Sequence, residues 1–360
     1  MAPTNTRRIS SETSVVAAAC CTPDTFAEER LVFVPPAATA LLVLFNRNHN
    51  YIAEMLLKIK ERGRWSDLPT ANPKLRAQQD EEIFQTARLV NCGHFRSIVV
   101  NDYAVGLLEP PKDVMLSVLD DPPRIFKRKQ VKIVEKGQGK QSSVELNLLY
   151  RWHSTTSAHD EEWTEDLFEM VLRKKSLGNV TLEDFSDAFG RILTSVHTQP
   201  SKRTFGGLKP SVDGKFSDDG LATILQDATE SSAGAFRARG IPGVLRLVEM
   251  LGIYLGLRKF KSFEEWNKDE GVVGATRRQY GHIDRLELYV GLHCEQPIPS
   301  KSGVRLACGS TMMQAILGDT IALIWNDRYH TTDFTPSNLT AWGYHDCQSD
   351  MRNGAFGAQT

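Results

Sequence analysis

The sequence predicts a mainly helical fold, and three observations support this. Apolar residues recur at helical spacing along several long segments, and many of these segments begin or end at a residue that favours a helix terminus. Segments with the alternating pattern of a strand are few, and no internal repeat is visible. Apolar residues make up 41% and charged residues 24% of the 360 residues, which fits a globular protein with a sizeable core.

Charge and cysteine content argue against several classes of function. The 43 basic and 44 acidic residues leave a net charge of −1, so neither nucleic acid nor an electrostatically bound membrane is favoured as a partner. The six cysteines form no CxxC pair, which argues against a zinc site and favours a reducing, intracellular setting. The apolar run from Val15 to Cys21 is too short for a signal peptide or a spanning helix. We expect a cytoplasmic or loosely membrane-associated protein without a clear membrane anchor.

The first part of the chain is predicted to hold two long helices. Residues 1–23 are rich in Ser, Thr and Ala without a clear period, and we expect them to be disordered. A helix is predicted from Ala37 to Arg62, preceded by a proline and stopped by Gly63. A second helix is predicted from Gln79 to Val100, where acidic residues suit the positive N-terminal end. Residues 109–140 contain two Pro-Pro pairs and are expected to form a surface connection with short helices.

Shorter helices are predicted along the rest of the chain. They are expected at Asp160–Arg173, from the N-cap Thr181 to Val196, at Gly220–Phe236, from Pro242 to Leu251, from Ser262 onward and at Gly303–Trp325, with a last helix opening at Asn338 and Leu339. A loop is expected over residues 200–220, and glycines should weaken the helix at Gly252–Leu257. Ser262 and Glu265 have the spacing of a capping box.

The middle of the sequence carries the candidate site. Apolar residues at Val144, Leu148 and Leu149 indicate a helix there. If that helix runs through His153, the phenol of Tyr150 and the imidazole of His153 lie on one face, one turn apart. One group could then hold a metal while the other relays a proton or an electron. The same spacing is common by chance, so the spacing alone is not specific.

The residues around this pair are more specific. The string from Tyr150 to Ser154 reads Tyr-Arg-Trp-His-Ser, which resembles the proximal-histidine segment of the cyclooxygenase-like haem peroxidases, and that of the fungal fatty-acid dioxygenases in particular. Further segments resemble the same family, at Asn46–Ala53, at Asp80–Arg88 and at Tyr280–Glu295. These segments occur in the order in which the family has them.

This resemblance implies a haem-peroxidase-like helical domain over residues 24–348, between a disordered start and a tail at 349–360. It implies that His153 is the axial ligand of the iron of haem b, and that Tyr150 carries the catalytic radical. That radical would take a hydrogen atom from a C18 unsaturated fatty acid such as linoleate, and O2 would then add to give a hydroperoxide. The implied partners are therefore an unsaturated fatty acid and O2.

The chain also departs from the family's pattern. In the family the distal histidine lies well upstream of the helix that contains His49, whereas no histidine precedes His49 here. We therefore expect a domain that is N-terminally truncated and incomplete on its distal side. The acid–base group that would split peroxide should then be absent, and such a group typically contributes about 10²–10⁴-fold to the rate. The stretch Gly252–Leu257 is also shorter than the family's pattern predicts.

Two other histidines are expected to be structural. His49 and His94 lie within predicted helices, and hydrogen-bonded packing positions are expected for both. Three functional hypotheses stay open at this point: a haem-dependent fatty-acid dioxygenase, a non-catalytic remnant of the fold, and a plain haem peroxidase. Tyr150 argues against the last, because peroxidase turnover does not require a tyrosine there. A homo-oligomer is compatible with the sequence.

Overall fold

The computed structural model describes residues 24–26, 28–67, 72–103, 139–142, 146, 149–150, 156–172, 187, 190–192, 194–230, 260–297 and 309–348. Within these residues the regular structure is helical, which confirms the predicted fold class. The α-helices are α1 (Pro36–Ile59), α2 (Pro73–Ser97), α3 (Ala158–Leu172), α4 (Asp218–Glu230), α5 (Phe263–Trp266), α6 (Glu270–Tyr280), α7 (Leu288–His293), α8 (Ser310–Trp325), α9 (Pro336–Leu339) and α10 (Ala341–Asp346). Extended pairing in the described part is limited to the isolated bridges Phe205–Leu208 and Pro297–Gly309.

Shorter helical turns join these elements. Single 3-10 turns lie at Glu29–Phe33, Glu61–Gly63, Pro200–Lys202 and Ile283–Arg285, and π-helical segments lie at Ile98–Tyr103 and Tyr329–Asp333. The second π-helical segment contacts α8. The first continues α2 without a break, so the second predicted helix is longer than expected and carries Tyr103 at its end.

The end of α1 differs from the prediction. The helix stops at Ile59 and not at Arg62, because Lys60 adopts a left-handed conformation with φ of 50°. The Lys60 amide closes the last turn by donating to the carbonyl of Leu56 at 3.1 Å. Gly63, the predicted stop, ends the 3-10 turn that follows instead.

The start of α2 also differs, by six residues. Asn72 accepts a hydrogen bond from the Leu75 amide at 3.2 Å and acts as the N-cap, and Pro73 then occupies the first helical position. The side chains of Ser157 and Ser217 have the same role for α3 and α4, accepting from the amides of Asp160 at 2.9 Å and Gly220 at 3.1 Å. Polar N-caps therefore set the starts of three of the described α-helices.

The predicted capping box at α5 is present in altered form. Ser262 Oγ accepts from the Glu265 amide at 3.3 Å, as expected. The Glu265 carboxylate accepts from the amide of Lys261 at 2.8 Å, one residue before the cap. The next helix, α6, was not predicted, although Asp269 caps it by accepting from Val272 N at 2.9 Å.

Several expectations lie outside the described residues. They concern residues 1–23, nearly all of the 109–140 connection, the Pro242–Leu251 helix, the Gly252–Leu257 stretch, residues 303–308 and the tail at 349–360. Most of the helix predicted after Thr181 also lies outside, although residues 190–192 are helical. The predicted 200–220 loop contains a 3-10 turn, a bridge and the first turn of α4.

The chain folds into two compact units whose segments alternate along the sequence. Unit 1 comprises Met1–Asn91, Trp152–Arg237 and Leu339–Gly343, and unit 2 comprises Cys92–Arg151, Ala238–Asn338 and Tyr344–Thr360. In unit 1, α4 contacts both α1 and α3. The unit 1 core includes Phe26, Phe205 and Phe216, whose rings meet at centroid distances of 4.8–6.1 Å. Burial of these aromatic rings is a main source of stability in this unit.

A buried ion pair fixes one side of the unit 1 core. Arg47 on α1 donates to the fully buried carboxylate of Asp24 through Nε at 2.9 Å and Nη2 at 2.6 Å. The same guanidinium donates to the Phe216 carbonyl at 2.7 Å and to the Asp218 carboxylate at 2.5 Å. Asp24 in turn accepts from the Phe216 amide at 2.8 Å. One arginine therefore ties together three segments that are distant in sequence.

Unit 2 has its own core around α5 and α6. Trp266 and Phe263 are buried, and the Trp266 indole donates to the carbonyl of Gly291 at 2.8 Å. Asn267 donates to the Cys294 carbonyl at 2.6 Å. The buried carboxylate of Glu295 accepts from the Thr311 amide at 3.1–3.2 Å and so caps the start of α8. Burial is the largest effect on this carboxyl and raises the pKa of Glu295.

Candidate functional site

Tyr150 lies at the end of a helical turn, with its side chain open to the surroundings. Its amide donates to the carbonyl of Leu146 at 2.8 Å, as in a helix, while the neighbouring Leu149 is buried. The Tyr150 side chain is 37% exposed. The backbone therefore holds this phenol firmly at its base and leaves its ring within reach of a small molecule.

The hydroxyl of Tyr150 forms a hydrogen bond with the hydroxyl of Tyr103, in which either oxygen can be the donor. Tyr103 ends the π-helical segment that continues α2, and its side chain is 40% exposed. π-helical turns are frequent at functional sites, because they shift the direction of the side chains that follow. The adjacent Asp102 is buried, and this burial raises the pKa of its carboxyl group.

A phenol pair of this kind can support one-electron chemistry. When a phenol loses a hydrogen atom, a neighbouring hydroxyl can donate a hydrogen bond to the oxygen radical that remains. Such a bond lowers the energy of the radical and fixes the ring orientation. The structure therefore adds a second tyrosine, Tyr103, to the site that the sequence places at Tyr150.

No role was predicted for Tyr103 from the sequence. The contact joins residues 47 positions apart, so no local periodicity could predict it. The other predicted site residue, His153, lies outside the described residues, and its one-turn relation to Tyr150 stays a prediction.

The described histidines of α1 and α2 are engaged by the protein, as expected for structural residues. His49 is buried, and its ring lies within hydrogen-bonding range of the Phe84 carbonyl at 3.3 Å and the Asn50 side chain at 3.4 Å. Burial lowers the pKa of His49, so the ring is neutral at pH 7. His94 pairs through Nε2 with the Asp346 carboxylate at 3.1 Å. Neither ring is positioned as an open ligand.

Two further observations concern metals and membranes. Among the described residues, no group of three or more His, Cys, Asp or Glu side chains is arranged to hold a metal ion. A haem iron needs no such group, because the porphyrin supplies four ligands and the protein one axial residue.

In the part of the chain that the structure describes, no helix combines the length and apolar character that crossing a membrane requires.

Comparison with known proteins identifies relatives over nearly the whole chain. The model of the animal haem peroxidase family matches residues 27–350. The chain is 38% identical over 352 residues to Linoleate 10R-lipoxygenase of Aspergillus fumigatus, a match that covers 91% of this chain and 31% of that protein. It is 37% identical over 347 residues to 7,8-linoleate diol synthase of Pyricularia oryzae, covering 91% of this chain and 30% of the relative. The chain thus spans about a third of the length of these relatives.

A solved structure shows a more distant likeness. The fatty acid alpha-dioxygenase of Arabidopsis thaliana superimposes with a TM-score of 0.46 and 17% sequence identity, over 85% of this chain and 49% of that one. The relationship to known proteins rests on the sequence matches.

Proposed function

Because the chain belongs to the animal haem peroxidase family, we propose that it is a haem-dependent dioxygenase acting on an unsaturated fatty acid. The observation that carries this proposal is the hydrogen-bonded pair of phenols, Tyr103 and Tyr150, at the position where the sequence places the reactive tyrosine. The names of the relatives support linoleate, or a similar C18 acid, as the substrate class. The hydroperoxide of that acid is the expected product.

His153 is the residue that we propose would hold a haem b, through its imidazole. A neutral imidazole is a suitable iron ligand, and its other ring nitrogen normally needs a hydrogen-bond acceptor. The described residues fit this assignment, because His49 and His94 are already engaged and an open phenol lies three positions before His153. When bound, the haem supplies the one-electron oxidation, driven by a peroxide, that first converts the Tyr150 phenol to a radical.

The role of Tyr150 is then a cycle of hydrogen-atom transfer. The Tyr150 oxygen radical takes a hydrogen atom from an allylic carbon of the fatty acid, which restores the phenol and leaves a carbon radical. O2 adds to that carbon and forms a peroxyl radical. The peroxyl radical takes a hydrogen atom from the Tyr150 hydroxyl, which releases the hydroperoxide and restores the tyrosyl radical. One O2 is consumed for each hydroperoxide formed.

Tyr103 has a positioning role in this cycle. Its hydroxyl can donate to the Tyr150 oxygen while that oxygen is a radical, and it can accept when Tyr150 is a phenol. This bond keeps the reactive oxygen in one place through both states. We expect the loss of a neutral hydrogen bond of this kind to cost about 0.5–1.5 kcal/mol, or roughly a 2- to 10-fold change in rate.

The test is oxygen uptake with linoleate by the haem-loaded chain. We predict that Tyr150→Phe abolishes hydroperoxide formation, whereas Tyr103→Phe lowers the rate by roughly 2- to 10-fold. Tyr51→Phe is the matched control, because Tyr51 is also an exposed tyrosine, lies on α1 and has no predicted catalytic role.

Two results would contradict the proposal. Hydroperoxide formation at the wild-type rate by Tyr150→Phe would remove the tyrosine from the mechanism. Oxidation of a phenolic dye by the wild-type chain with no linoleate oxygenation would indicate a plain haem peroxidase.

A further inference from the structure

A half-buried arginine lies in unit 2, two residues before the π-helical segment that carries Tyr103. Arg96 is in the last turn of α2, and its guanidinium carbon lies 4.3 Å from the centre of the Phe334 ring. The Phe334 ring in turn contacts the rings of Tyr329 and Tyr344 at centroid distances of 5.7 and 5.1 Å. The arginine therefore sits on an aromatic cluster of unit 2 and is largely withdrawn from water.

The charge of Arg96 has no carboxylate partner in the described part of the chain. Three carboxylates of unit 2 each contact another side chain: Asp346 contacts His94 at 3.1 Å, Asp327 contacts Lys140 at 2.8 Å and Asp333 contacts Arg328 at 3.0 Å. The Nε atom of Arg96 is buried and has no hydrogen-bond partner.

An unpaired guanidinium in such a place is costly, and its surroundings offset only part of the cost. The ring face of Phe334 favours a cation. It accepts no hydrogen bond from Nε. Burial lowers the pKa of Arg96, yet a guanidinium remains charged in proteins. The position is therefore suited to an added anion.

A second donor without a partner lies in the same cluster. The Nδ1 atom of His330 is buried and has no hydrogen-bond partner. The His330 ring contacts the Tyr329 ring at a centroid distance of 5.4 Å. Burial and, to a smaller extent, the charge of Arg96 lower the pKa of His330. A neutral imidazole with its proton on Nδ1 can donate to an anion.

The ligand that fits this place is a carboxylate attached to an apolar chain. A guanidinium presents two parallel N–H groups that match the two oxygens of a carboxylate. The aromatic rings beside it offer an apolar wall, which suits an acyl chain better than a free hydrated ion. The residues involved are Arg96, His330 and the rings of Tyr329, Phe334 and Tyr344.

The distance to the phenol pair also suits a fatty acid. Arg96 and Tyr103 are seven positions apart on one continuous helical segment, which corresponds to about 10 Å at most along the axis, the value for an α-helix with 1.5 Å per residue. Tyr103 contacts Tyr150. An acid held by its carboxylate at Arg96 would therefore bring a carbon from the middle of its chain, and not one next to the carboxyl group, toward the phenols.

We propose that Arg96, with His330 as a second donor, binds the carboxylate of the fatty-acid substrate. The choice of a fatty acid as the ligand rests on the proposed function, whereas the anion site rests on the two unpartnered donors. This assignment gives the substrate a direction, with its carboxyl end at the C-terminal turn of α2.

The test is calorimetric binding to the full, haem-loaded chain, with linoleate, methyl linoleate and acetate as ligands. We expect the wild-type chain to bind linoleate about 10-fold or more tightly than the ester, because the ester lacks the charge that the guanidinium recognises. Arg96→Met should remove this preference while leaving the affinity for the ester nearly unchanged. Arg88→Met, at an exposed position on the same helix, is the matched control and should keep the preference.

Three results would overturn the proposal: equal affinity of the wild-type chain for acid and ester, an unchanged preference in Arg96→Met, or binding of acetate as tight as that of linoleate. If Arg96→Met does not fold, Arg96→Lys keeps the charge without the planar fork. It should then retain a reduced preference for the acid, and an undiminished preference would count against the site.

The same samples separate this proposal from the proposed function. A wild-type chain that binds linoleate more tightly than its ester but forms no hydroperoxide would contradict the dioxygenase assignment and still support the carboxylate site. A wild-type chain that oxygenates linoleate, but binds linoleate and methyl linoleate equally tightly, would support the dioxygenase assignment and exclude the carboxylate site.

Discussion

At the scale of single residues, the neutral form of His49 is part of the fold. Its ring is buried against Phe84 at a centroid distance of 5.0 Å and lies 3.3 Å from the Phe84 carbonyl. Burial is the largest effect on this ring, and it lowers the pKa of His49 below the ordinary value of 6.5. The unfolded chain therefore takes up a proton at a pH where the folded chain does not.

This difference predicts a loss of stability in mild acid. As the pH falls below about 6.5, protonation of the unfolded state lowers the free energy of unfolding, and above that pH the effect is absent. Replacing His49 by Gln removes one group that titrates in this way. We expect His49→Gln to show a shallower decline of unfolding free energy between pH 7 and pH 5, measured by urea denaturation.

The control is His159→Gln, which changes an exposed histidine on α3. Burial also lowers the pKa of His330, which is present in both variants and in the wild type. The quantity to compare is therefore the difference between variant and wild type in the slope of unfolding free energy against pH. An identical slope for His49→Gln and the wild-type chain would contradict this account of His49.

The pair of tyrosines shows what can be predicted for single residues. Tyr150 was proposed from a local string of residues, and its role stays a prediction. Its contact with Tyr103 could not be predicted, because the two residues are 47 positions apart. The same holds for Arg96, whose aromatic neighbours come from residues more than 200 positions later in the chain.

At the scale of elements, two helices approach closely through glycine. A Cβ atom at Gly343 on α10 would lie 2.5 Å from the Val90 side chain on α2, which is far shorter than a normal contact. The N-terminus of α10 is also held from outside the helix, since the Glu61 carboxylate accepts from the amides of Ala341 at 3.0 Å and Trp342 at 3.1 Å. These two hydrogen bonds favour the charged carboxyl, and the pKa of Glu61 is lowered.

We predict that Gly343→Ala destabilises the chain by about 1–3 kcal/mol, because the added methyl group must displace Val90. Gly318→Ala is the matched control. Gly318 lies within α8, and nothing lies within 4 Å of the Cβ atom it would gain. That substitution should stabilise the chain by up to about 1 kcal/mol. Thermal unfolding of both variants tests the pair, and equal stability of the two would show that the contact between α10 and α2 is not tight.

Neither helix starts nor helix ends could be predicted to the residue. Asn72, Ser157 and Ser217 are ordinary N-caps, yet α2 begins six residues before its predicted start. The left-handed Lys60 that ends α1 carries no such signal, because lysine rarely adopts this conformation. The break between α9 and α10 has the same cause, since Thr340 has φ of 67°.

At the scale of the whole molecule, Arg47 connects distant segments of unit 1. It joins Asp24, α1 and the segment before α4 through a carboxylate that is fully buried. Removing the guanidinium leaves that charge with a single amide donor. We expect Arg47→Met to lower the free energy of unfolding by roughly 2–4 kcal/mol, which is near the low end for a broken buried pair because the arginine is partly exposed.

The control for this prediction is Arg30→Met. Arg30 pairs with Glu28 at 2.8 Å, but both side chains are exposed, so its loss should leave the unfolding free energy almost unchanged. Urea denaturation of the two variants measures the contrast. A similar loss of unfolding free energy in both variants would mean that the buried Arg47–Asp24 pair stabilises the chain no more than the exposed Arg30–Glu28 pair does.

The helical class and the family were predictable from the sequence, and both are confirmed. The family was recognisable because its motifs are strings of neighbouring residues that keep their order along the chain. The division into two units with alternating segments was not predictable, since it depends on contacts between residues far apart in sequence. One helix, α2, includes the boundary at Asn91 and Cys92, and no change of composition marks that point.

The proposed binding of haem through His153 can be measured by titrating the purified chain with haem and following the Soret absorbance, for the wild type, His153→Ala and His159→Ala. We expect saturable binding by the wild type and by His159→Ala, and a shifted or absent Soret band for His153→Ala. The same Soret band in His153→Ala as in the wild type would exclude His153 as the ligand. No saturable binding by the wild type would exclude a haem site in this chain.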